Sequence, residues 1–290
     1  MRRHTSRLTV HGPWSLQVSR TFWEGFAPAA LPGTAAPGDR LQTVFRVEAD
    51  WSRAEATVTE HGNIAQIAVS GPGDLHAAAD QVTRFLALDV DGSDWPAVGK
   101  RDPVIGRAQR ALPGLRPCGF HSPYEAAAWA VLSQRLRIAQ AARLRADITR
   151  RYGQDGAFPA PDRLRTLDLD LPARKTEYLH AVADAALDGI LDGPILRAVD
   201  PVDAVERVRQ VKGLGPFAAE LVVLRGANTP DALAHHEAKL TAEIAEQYGP
   251  GATLETIADT WRPYRTWAAV YLRALREQRT REIGTSTATT

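Results

Sequence analysis

The side chains best suited to do chemistry in this 290-residue chain form the consecutive cluster His235-His236-Glu237. Histidine can carry a proton or contact a phosphate near neutral pH, and the neighbouring glutamate adds a carboxylate. The alternative is that both histidines face solvent from a loop and have no role. A zinc site built from these three residues is not expected, because adjacent residues seldom converge on one ion. What the cluster does depends on the elements that position it.

A helical hairpin is predicted upstream of the cluster. The pattern of Asp200–Gln210 is helical, and Gly213-Leu214-Gly215 then permits a tight turn, because glycine reaches backbone angles closed to other residues. Pro216 suits the first turn of a second helix, whose apolar residues recur at helical spacing as far as Leu224. Its first amides would point outward, and such a helix end binds phosphate well. Because L-x-G-x-G is a weak motif alone, a helical corner without a ligand is the alternative.

The composition is that of an ordinary globular protein and excludes several classes. Hydrophobic residues make up 44% of the chain and charged residues 24%. The single cysteine, Cys118, excludes an internal disulfide and any four-cysteine metal or iron–sulfur site. No apolar run approaches the roughly 20 residues of a membrane span, and residues 1–10 lack the apolar region of a secretory signal. We therefore expect a cytoplasmic protein, nucleoid-associated if bacterial, without membrane contact.

Charge is distributed unevenly along the chain, although the net charge is only +1. Residues 101–175 hold 14 Lys and Arg against 7 Asp and Glu, whereas residues 176–208 hold 2 against 7. A basic segment beside an acidic one indicates a polarised surface with one face suited to phosphate. Ordinary solvated helix charge is the alternative.

The first hundred residues carry a strand pattern. A hairpin turn is predicted at His61-Gly62-Asn63. Asp74 can cap a following helix, and a loop rich in Pro, Gly and Ala covers residues 31–37. These features predict a small α+β module with a mostly antiparallel sheet. The segments with alternating apolar residues, which predict its strands, are 41–47, 54–59 and 64–70.

From about residue 101 the pattern turns helical, with Ser122 as the cap of one predicted helix. We expect the α+β module to span residues 1–100 and the helical core to span 101–277. Residues 278–290, rich in Thr and Arg, are predicted to be a disordered tail.

Most of the chain resembles the 3-methyladenine DNA glycosylase II branch of the helix-hairpin-helix DNA glycosylase superfamily. The hairpin glycines are followed after about twenty residues by the carboxylate of Glu237, and then by Trp261-Arg262-Pro263-Tyr264-Arg265. The segment FHSPYEAAAWAVLSQRLRIAQAARLRADITRRYG, residues 120–153, is similar to the first core helices of the family. The resemblance implies a mostly α fold, with a helix-hairpin-helix core of two helical lobes behind an N-terminal antiparallel α+β module.

The resemblance also implies where the chemistry takes place. Such enzymes flip a damaged nucleotide out of the duplex, and a carboxylate stabilises the oxocarbenium-like sugar as the glycosidic bond breaks. Glu237 stands where the family has aspartate, and His236 could assist it. The hairpin amides of Gly213, Gly215 and Phe217 would hold DNA phosphate. The carbonyls of Val211 and Gly213 could hold a monovalent cation, and no other cofactor or catalytic metal is implied.

The implied base pocket departs from the family pattern. Phe217 stands where this branch tends to have tryptophan, and where lyase-active relatives carry lysine, so no lyase activity is expected. Leu221 replaces a common tyrosine. Arg273 falls at another aromatic position, near Tyr271, where it could pair with Glu237 or contact a flipped base or phosphate.

The loop that wedges into the duplex in this family matches Arg135 and Leu136. Arginine can fill the gap left by a flipped base by stacking its guanidinium plane and contacting phosphates. Leu136 could fill the gap instead, and Arg135 could then be only a phosphate contact.

Three functions follow from these features. The first is a monomeric, monofunctional DNA N-glycosylase that removes alkylated or otherwise damaged bases from double-stranded DNA in base excision repair. The second is a weak or inactive glycosylase-fold protein that binds DNA, because Glu237 replaces the catalytic aspartate and because Arg273 and Arg135 also depart from the pattern. A helical small-molecule-binding protein is the third and would require the basic segment to be accidental. The sequence leaves open which damaged base is preferred.

Overall fold

The chain begins with a four-stranded antiparallel sheet whose strand order is β1-β4-β3-β2. We describe a computed structural model that covers residues 2–25, 39–172 and 174–280. The predicted loop at 31–37 and most of the predicted disordered tail lie outside these residues. The strands are β1 (Arg2–Thr9), β2 (Arg40–Arg46), β3 (Arg53–His61) and β4 (Ile64–Gly71).

The predicted strands and their turn are confirmed. Along β2, for example, the buried side chains of Leu41, Thr43 and Phe45 alternate with more exposed neighbours, because one face of the sheet packs on the core. Strands β3 and β4 pair from His61 opposite Ile64 outward, so the turn lies at the predicted position.

The edge strand β1 was not predicted. It pairs along its whole length with β4, from Arg2 opposite Gly71 to Thr9 opposite Ile64. All of its residues except Leu8 are polar, and none of them is fully buried. Pairing with the edge of β4 therefore stabilises this strand, and a search for alternating apolar residues cannot detect it.

Two helices cover one face of the sheet. Helix α2 (Leu75–Phe85) begins at the predicted cap, where Asp74 Oδ1 accepts hydrogen bonds from the amides of His76 and Ala77, each at 3.0 Å. Helix α1 (Leu16–Gly25) was not predicted, and it buries Leu16 and Trp23 against the sheet.

The rest of the described chain is helical, as the sequence predicted. Ser122 caps the helix that begins at Pro123 by accepting a hydrogen bond from the amide of Glu125 at 3.2 Å. The elements are α3 (Trp95–Arg101), α4 (Pro103–Ala111), α5 (Pro123–Ser133), α6 (Ile138–Tyr152), α7 (Pro161–Leu164), α8 (Lys175–Leu187), α9 (Gly193–Ala198), α10 (Pro201–Arg209), α11 (Pro216–Leu221), a π-helix (Val222–Gly226), α12 (Ala238–Tyr248), α13 (Leu254–Ile257), a 3-10 helix (Ala258–Trp261) and α14 (Arg265–Thr280).

These helices form two lobes with separate cores. One core is built from α5 to α11 and the π-helix. The other joins α3 and α4 to α12, α13 and α14, so that Trp95 stacks edge-on against Trp267 with ring centroids 5.7 Å apart. Helix α14 continues to Thr280, beyond the predicted end of the core at 277. The three-part division of the chain stays a prediction.

Among the described residues, no helix combines the length and the apolar character needed to cross a membrane.

Candidate functional site

The predicted helical hairpin is formed by α10 and α11 with a turn over residues 210–215. Gly213 has φ +94°, and a side chain there would also collide with the ring of Tyr178, so the turn requires glycine. Gly215 lies just before α11 and is exposed, with open space where a side chain would stand. Phe217 at the start of α11 is 46% exposed. The hairpin therefore presents its turn and one aromatic ring to solvent.

The loop between α5 and α6 contains the predicted wedge residues and touches the hairpin. Gln134 Nε2 donates a hydrogen bond to the Gly213 carbonyl at 2.8 Å. Arg135 is exposed, adopts φ +57° and pairs with no described carboxylate, whereas Leu136 is half-buried. Arg135 is thus the residue that extends from the surface beside the hairpin.

Lys175 also contacts the start of the loop between α5 and α6. Its buried Nζ donates to the carbonyls of Val131, Leu132 and Gln134 at 2.7, 2.9 and 2.9 Å. Burial lowers the pKa of this ammonium group. The three bonds reach carbonyls in the last turn of α5 and at its C-cap, Gln134, and so fix where the loop begins.

A cavity of about 670 Å³ lies between the two lobes and α1. This volume is within the roughly 300–1,000 Å³ typical of ligand sites. Phe217 stands at its wall together with Glu220, Glu237 and Arg273. Its apolar lining includes Val18, Phe22, Leu112, Leu221, Leu224 and Val270.

Glu237 lies on the cavity wall at the start of α12. Its Oε1 accepts a hydrogen bond from the Lys239 amide at 3.1 Å, so the side chain caps the helix. Its Oε2 lies 3.6 Å from Arg273 Nε, and the carboxylate side chain is 27% exposed. The helix end therefore fixes this carboxylate while leaving it open to the cavity.

Glu220 is a second carboxylate of the cavity wall, and the sequence reasoning missed it. It is buried, and its two oxygens accept hydrogen bonds from the backbone amide of His236 at 2.9 Å and from its Nδ1 at 2.7 Å. The only sequence signal is an acidic residue on the otherwise apolar helix α11. The pair ties the loop before Glu237 to α11.

The two histidines of the cluster diverge. His236 is held by Glu220, whereas His235 Nδ1 lies 3.0 Å from Glu255 Oε1 on the surface. Neither histidine belongs to the cavity lining as far as the structure describes it. Within the described ranges no group of three or more His, Cys, Asp or Glu side chains could hold a metal ion.

The residues predicted for the base pocket are only partly brought together. Phe217, Leu221 and Arg273 line the cavity with Glu237. Tyr271 does not, since it is 1% exposed in the core of the second lobe and its hydroxyl donates to the Leu115 carbonyl at 2.7 Å. On α14, residues two apart point to different sides of the helix, so Tyr271 faces the core when Arg273 faces the cavity.

Arg225 places a second guanidinium in the cavity wall. Burial lowers its pKa to about 10, an effect that Arg273 adds to and Glu237 opposes. The Arg225 guanidinium carbon lies 5.6 Å from the centroid of the Phe22 ring. That ring belongs to α1, so the unpredicted helix closes one side of the cavity.

The proposed cation ligands already accept hydrogen bonds. The Val211 carbonyl accepts from the Leu214 amide at 3.1 Å, and the Gly213 carbonyl accepts from Gln134. Each carbonyl oxygen retains a second lone pair, so the pair still fits a monovalent cation.

Comparison with known proteins agrees with the motifs. No protein-family model matches the sequence. The chain is 30% identical to DNA-3-methyladenine glycosylase 2 of Escherichia coli strain K12 over 185 residues, which cover 58% of this chain and 63% of that protein. It is 25% identical to DNA-3-methyladenine glycosylase of Bacillus subtilis strain 168 over 211 residues, 66% of this chain and 69% of that protein. The match thus spans less than two thirds of the E. coli relative.

The fold is that of a helix-hairpin-helix DNA glycosylase. The 3-methyladenine DNA glycosylase from Archaeoglobus fulgidus superposes with a TM-score of 0.71 at 16% identity, over 98% of this chain and 100% of that one. At such low identity the likeness establishes the fold alone. The sequence relatives confirm the resemblance to the 3-methyladenine DNA glycosylase II branch.

Proposed function

We propose that this chain, a relative of the DNA-3-methyladenine glycosylases, is a monofunctional DNA N-glycosylase that removes damaged bases from double-stranded DNA. The observation that carries the proposal is the carboxylate of Glu237, fixed at a helix end and open to an apolar cavity of about 670 Å³. The names of the sequence relatives support the same activity.

The cavity supplies room for an extruded base. A base inside the duplex is out of reach of any protein group, so the nucleotide must first rotate out of the stack. Phe217 offers its half-exposed ring for stacking, while Leu221 and Leu224 exclude water from the base.

Glu237 would act on the sugar. As the bond from C1′ to the base nitrogen breaks, its electron pair leaves with the base and positive charge develops on the sugar. A fixed carboxylate stabilises that charge, and water then adds to C1′ and releases one proton to the solvent or to the departed base. Capping by the Lys239 amide keeps the carboxylate in place, and His236 is positioned through Glu220 to steady the preceding loop.

The hairpin and the wedge loop would grip the duplex. The exposed turn at Gly215 and the start of α11 offer backbone amides to a phosphate. Arg135, held beside the turn through Gln134, would enter the gap left by the flipped nucleotide. A monovalent cation at the carbonyls of Val211 and Gly213 would add positive charge near that phosphate.

The alternative, a protein that binds DNA without cleaving, is favoured by one observation. Arg273 lies 3.6 Å from Glu237 and offsets its charge. The open volume beside this pair argues for the enzyme, because an arginine that filled the pocket would leave no room for a base.

Base release from alkylated duplex DNA tests the proposal. We expect free methylated purine in solution and an intact abasic strand that breaks only on later alkali treatment. Strand breakage without alkali would show a lyase. Tight binding to the duplex without any released base would instead establish the DNA-binding alternative.

A further inference from the structure

The carboxylate of Glu177 on α8 binds two cationic side chains at the protein surface. Arg174 Nε donates to Glu177 Oε2 at 2.6 Å, and Arg174 Nη2 donates to Oε1 at 2.8 Å. Lys212 Nζ forms a close ion pair with the same Oε1. A single carboxylate therefore holds a guanidinium from the start of α8 and an ammonium from the hairpin turn.

Tyr178 places this cluster against the turn of the helical hairpin. The Arg174 guanidinium carbon lies 5.3 Å from the centroid of the Tyr178 ring. The same ring lies so close to Gly213 that a side chain there would collide with it. Lys212 is the residue before Gly213. Both cations therefore stand beside the turn whose amides are proposed to hold a DNA phosphate.

The contacts of the Glu177 carboxylate are those that a phosphate would make. A guanidinium donates two parallel hydrogen bonds to a pair of oxygens, and it does so equally well to a carboxylate and to a phosphate. Arg174 makes such a pair of bonds, and the Lys212 ammonium adds a point charge. The Arg174 and Lys212 side chains are 59% and 58% exposed, so a phosphodiester can reach both of them.

Resting on the DNA binding of the proposed function, we propose that Arg174 and Lys212 form a second phosphate site beside the hairpin amides, which Glu177 occupies in the free protein. A phosphodiester of the duplex displaces the carboxylate and takes its place between the two cations. Glu177 is thus an internal competitor of DNA. Because phosphate contacts carry no sequence information, it limits the affinity for any duplex, damaged or not.

The competition is effective, yet DNA can overcome it. Hydrogen bonds from Arg174 and then Lys212 lower the pKa of Glu177 to about 2, so the carboxylate is charged and competes at neutral pH. All three side chains face solvent, where water screens the charges and ion pairs contribute little. A duplex presents many phosphates at once and can therefore displace the single carboxylate.

Arg135 shows the contrast on the other side of the turn. It is exposed and pairs with no described carboxylate, although Gln134 next to it is bonded to the Gly213 carbonyl. The arginine proposed to enter the duplex is therefore available in the free protein. The two cations that would contact the outside of the duplex are masked by Glu177.

Binding to an undamaged duplex at several salt concentrations tests the proposal. Glu177→Gln keeps the size of the side chain and releases both cations. We expect the Kd to fall by roughly two- to fivefold. The slope of log Kd against log salt concentration should steepen by up to about 0.9. In the original protein the displaced carboxylate attracts a counterion again, and in the variant it cannot. An unchanged Kd and slope would overturn the proposal.

A double-mutant cycle separates competition from simple repulsion between Glu177 and DNA. Repulsion acts whether or not the two cations are present. We therefore expect Glu177→Gln to leave the Kd almost unchanged once Arg174→Met and Lys212→Met have removed them. The same gain in affinity with and without the cations would overturn the proposal. Because all three side chains are exposed, Tm should hardly move in any of these variants.

Asp147→Asn is the matched control. Asp147 Oδ1 accepts a hydrogen bond from Arg150 Nη2 at 2.9 Å in an exposed pair with the same spacing of three residues, but on α6. The substitution removes the same charge from a helix that does not form the hairpin. Its Kd and salt slope should match those of the original protein. Equal gains in Asp147→Asn and Glu177→Gln would show an effect of net charge alone and would overturn the proposal.

Base release from alkylated duplex DNA separates failure of this inference from failure of the proposed function. Released base together with a Kd that is insensitive to residue 177 would overturn the competition and leave the glycosylase intact. Tighter binding by Glu177→Gln without base release by any variant would retain the phosphate site and overturn hydrolysis.

Discussion

The side-chain amide of Gln134 donates a 2.8 Å hydrogen bond to the carbonyl of Gly213 and so joins the loop after α5 to the turn of the helical hairpin. Lys175 fixes the same loop through the Gln134 carbonyl at 2.9 Å. The loop between α5 and α6, which contains the predicted wedge residues Arg135 and Leu136, is therefore tied to the hairpin. A protein that must hold phosphate with one part and fill a base gap with the other requires this fixed spacing.

Removal of the hydrogen bond between Gln134 and Gly213 should weaken binding to damaged duplex DNA. Gln134→Ala removes one hydrogen bond from the hairpin, and a typical bond corresponds to about a three- to tenfold change in affinity. The measurement is the Kd for a duplex with a tetrahydrofuran abasic-site analogue. Gln66→Ala is the control, because Gln66 pairs with Arg7 on the exposed sheet surface. Equal effects of both substitutions would show that the hydrogen bond between Gln134 and Gly213 does not support DNA binding.

The exposed ring of Phe217 should matter for base removal and little for stability. Phe217→Ala removes a stacking surface for the flipped base, and stacking contributes about 1–3 kcal/mol per base. We expect base release under single-turnover conditions to slow by roughly ten- to a hundredfold. Because the residue is 46% exposed, Tm should hardly move. Phe217→Trp should restore the rate, and a restored rate in Phe217→Leu would contradict stacking.

Glu220 should control the rate through the loop that carries Glu237. Glu220→Gln weakens two hydrogen bonds to His236, the residue before Glu237. A displacement of about 1 Å at a reacting centre can cost on the order of a hundredfold in rate. We expect the single-turnover rate to fall while the Kd for an abasic duplex stays constant. Glu206→Gln, which changes an exposed partner of Arg209, should change neither quantity.

The residues whose role is local were predictable, whereas those that depend on packing were not. The turn at Gly213 and the caps Asp74 and Ser122 are dictated by backbone geometry within a few residues, and sequence inspection found them. Strand β1 and helix α1 depend on distant partners and were missed.

The residues of the site also divide into those that motif position located and those that depend on packing. Glu237, Phe217 and Arg273 were located by motif position, and they do share one cavity. Tyr271 was misplaced, because sequence proximity on a helix says nothing of which side faces the core. Glu220 was overlooked because its importance arises from a contact with His236, sixteen positions away.

The free energy of unfolding should depend on pH through Glu125. This residue joins α5 to α6, on either side of the loop that contains Arg135 and Leu136. Burial opposes ionisation of Glu125, but His121 and Arg145 outweigh it, so its pKa lies below the ordinary 4.5. Its carboxylate Oε2 lies 2.6 Å from Arg145 Nη2. Because the folded pKa is the lower one, the unfolded chain binds the proton more readily. The stabilisation is present above pH 4.5 and is lost as the pH falls through the folded pKa.

Urea unfolding between pH 7 and pH 3 measures this effect. At pH 7, Glu125→Gln should lower the free energy of unfolding by about 3 kcal/mol, since it leaves Arg145 without its buried partner. The difference between the two proteins should shrink as the solution becomes acidic. A difference that stays constant down to pH 3 would contradict the account.

The most direct test of the central claim is the single-turnover rate of base release by Glu237→Gln. Glutamine can still accept the Lys239 amide, so the substitution removes the charge while keeping the helix cap. We expect a loss of roughly 10²–10³-fold. Glu237→Asp keeps the charge and should retain more of the rate than Glu237→Gln does. Glu255→Gln, an exposed control beside His235, should match the original protein. Release by Glu237→Gln at the rate of the original protein would show that the Glu237 carboxylate is not the catalytic group.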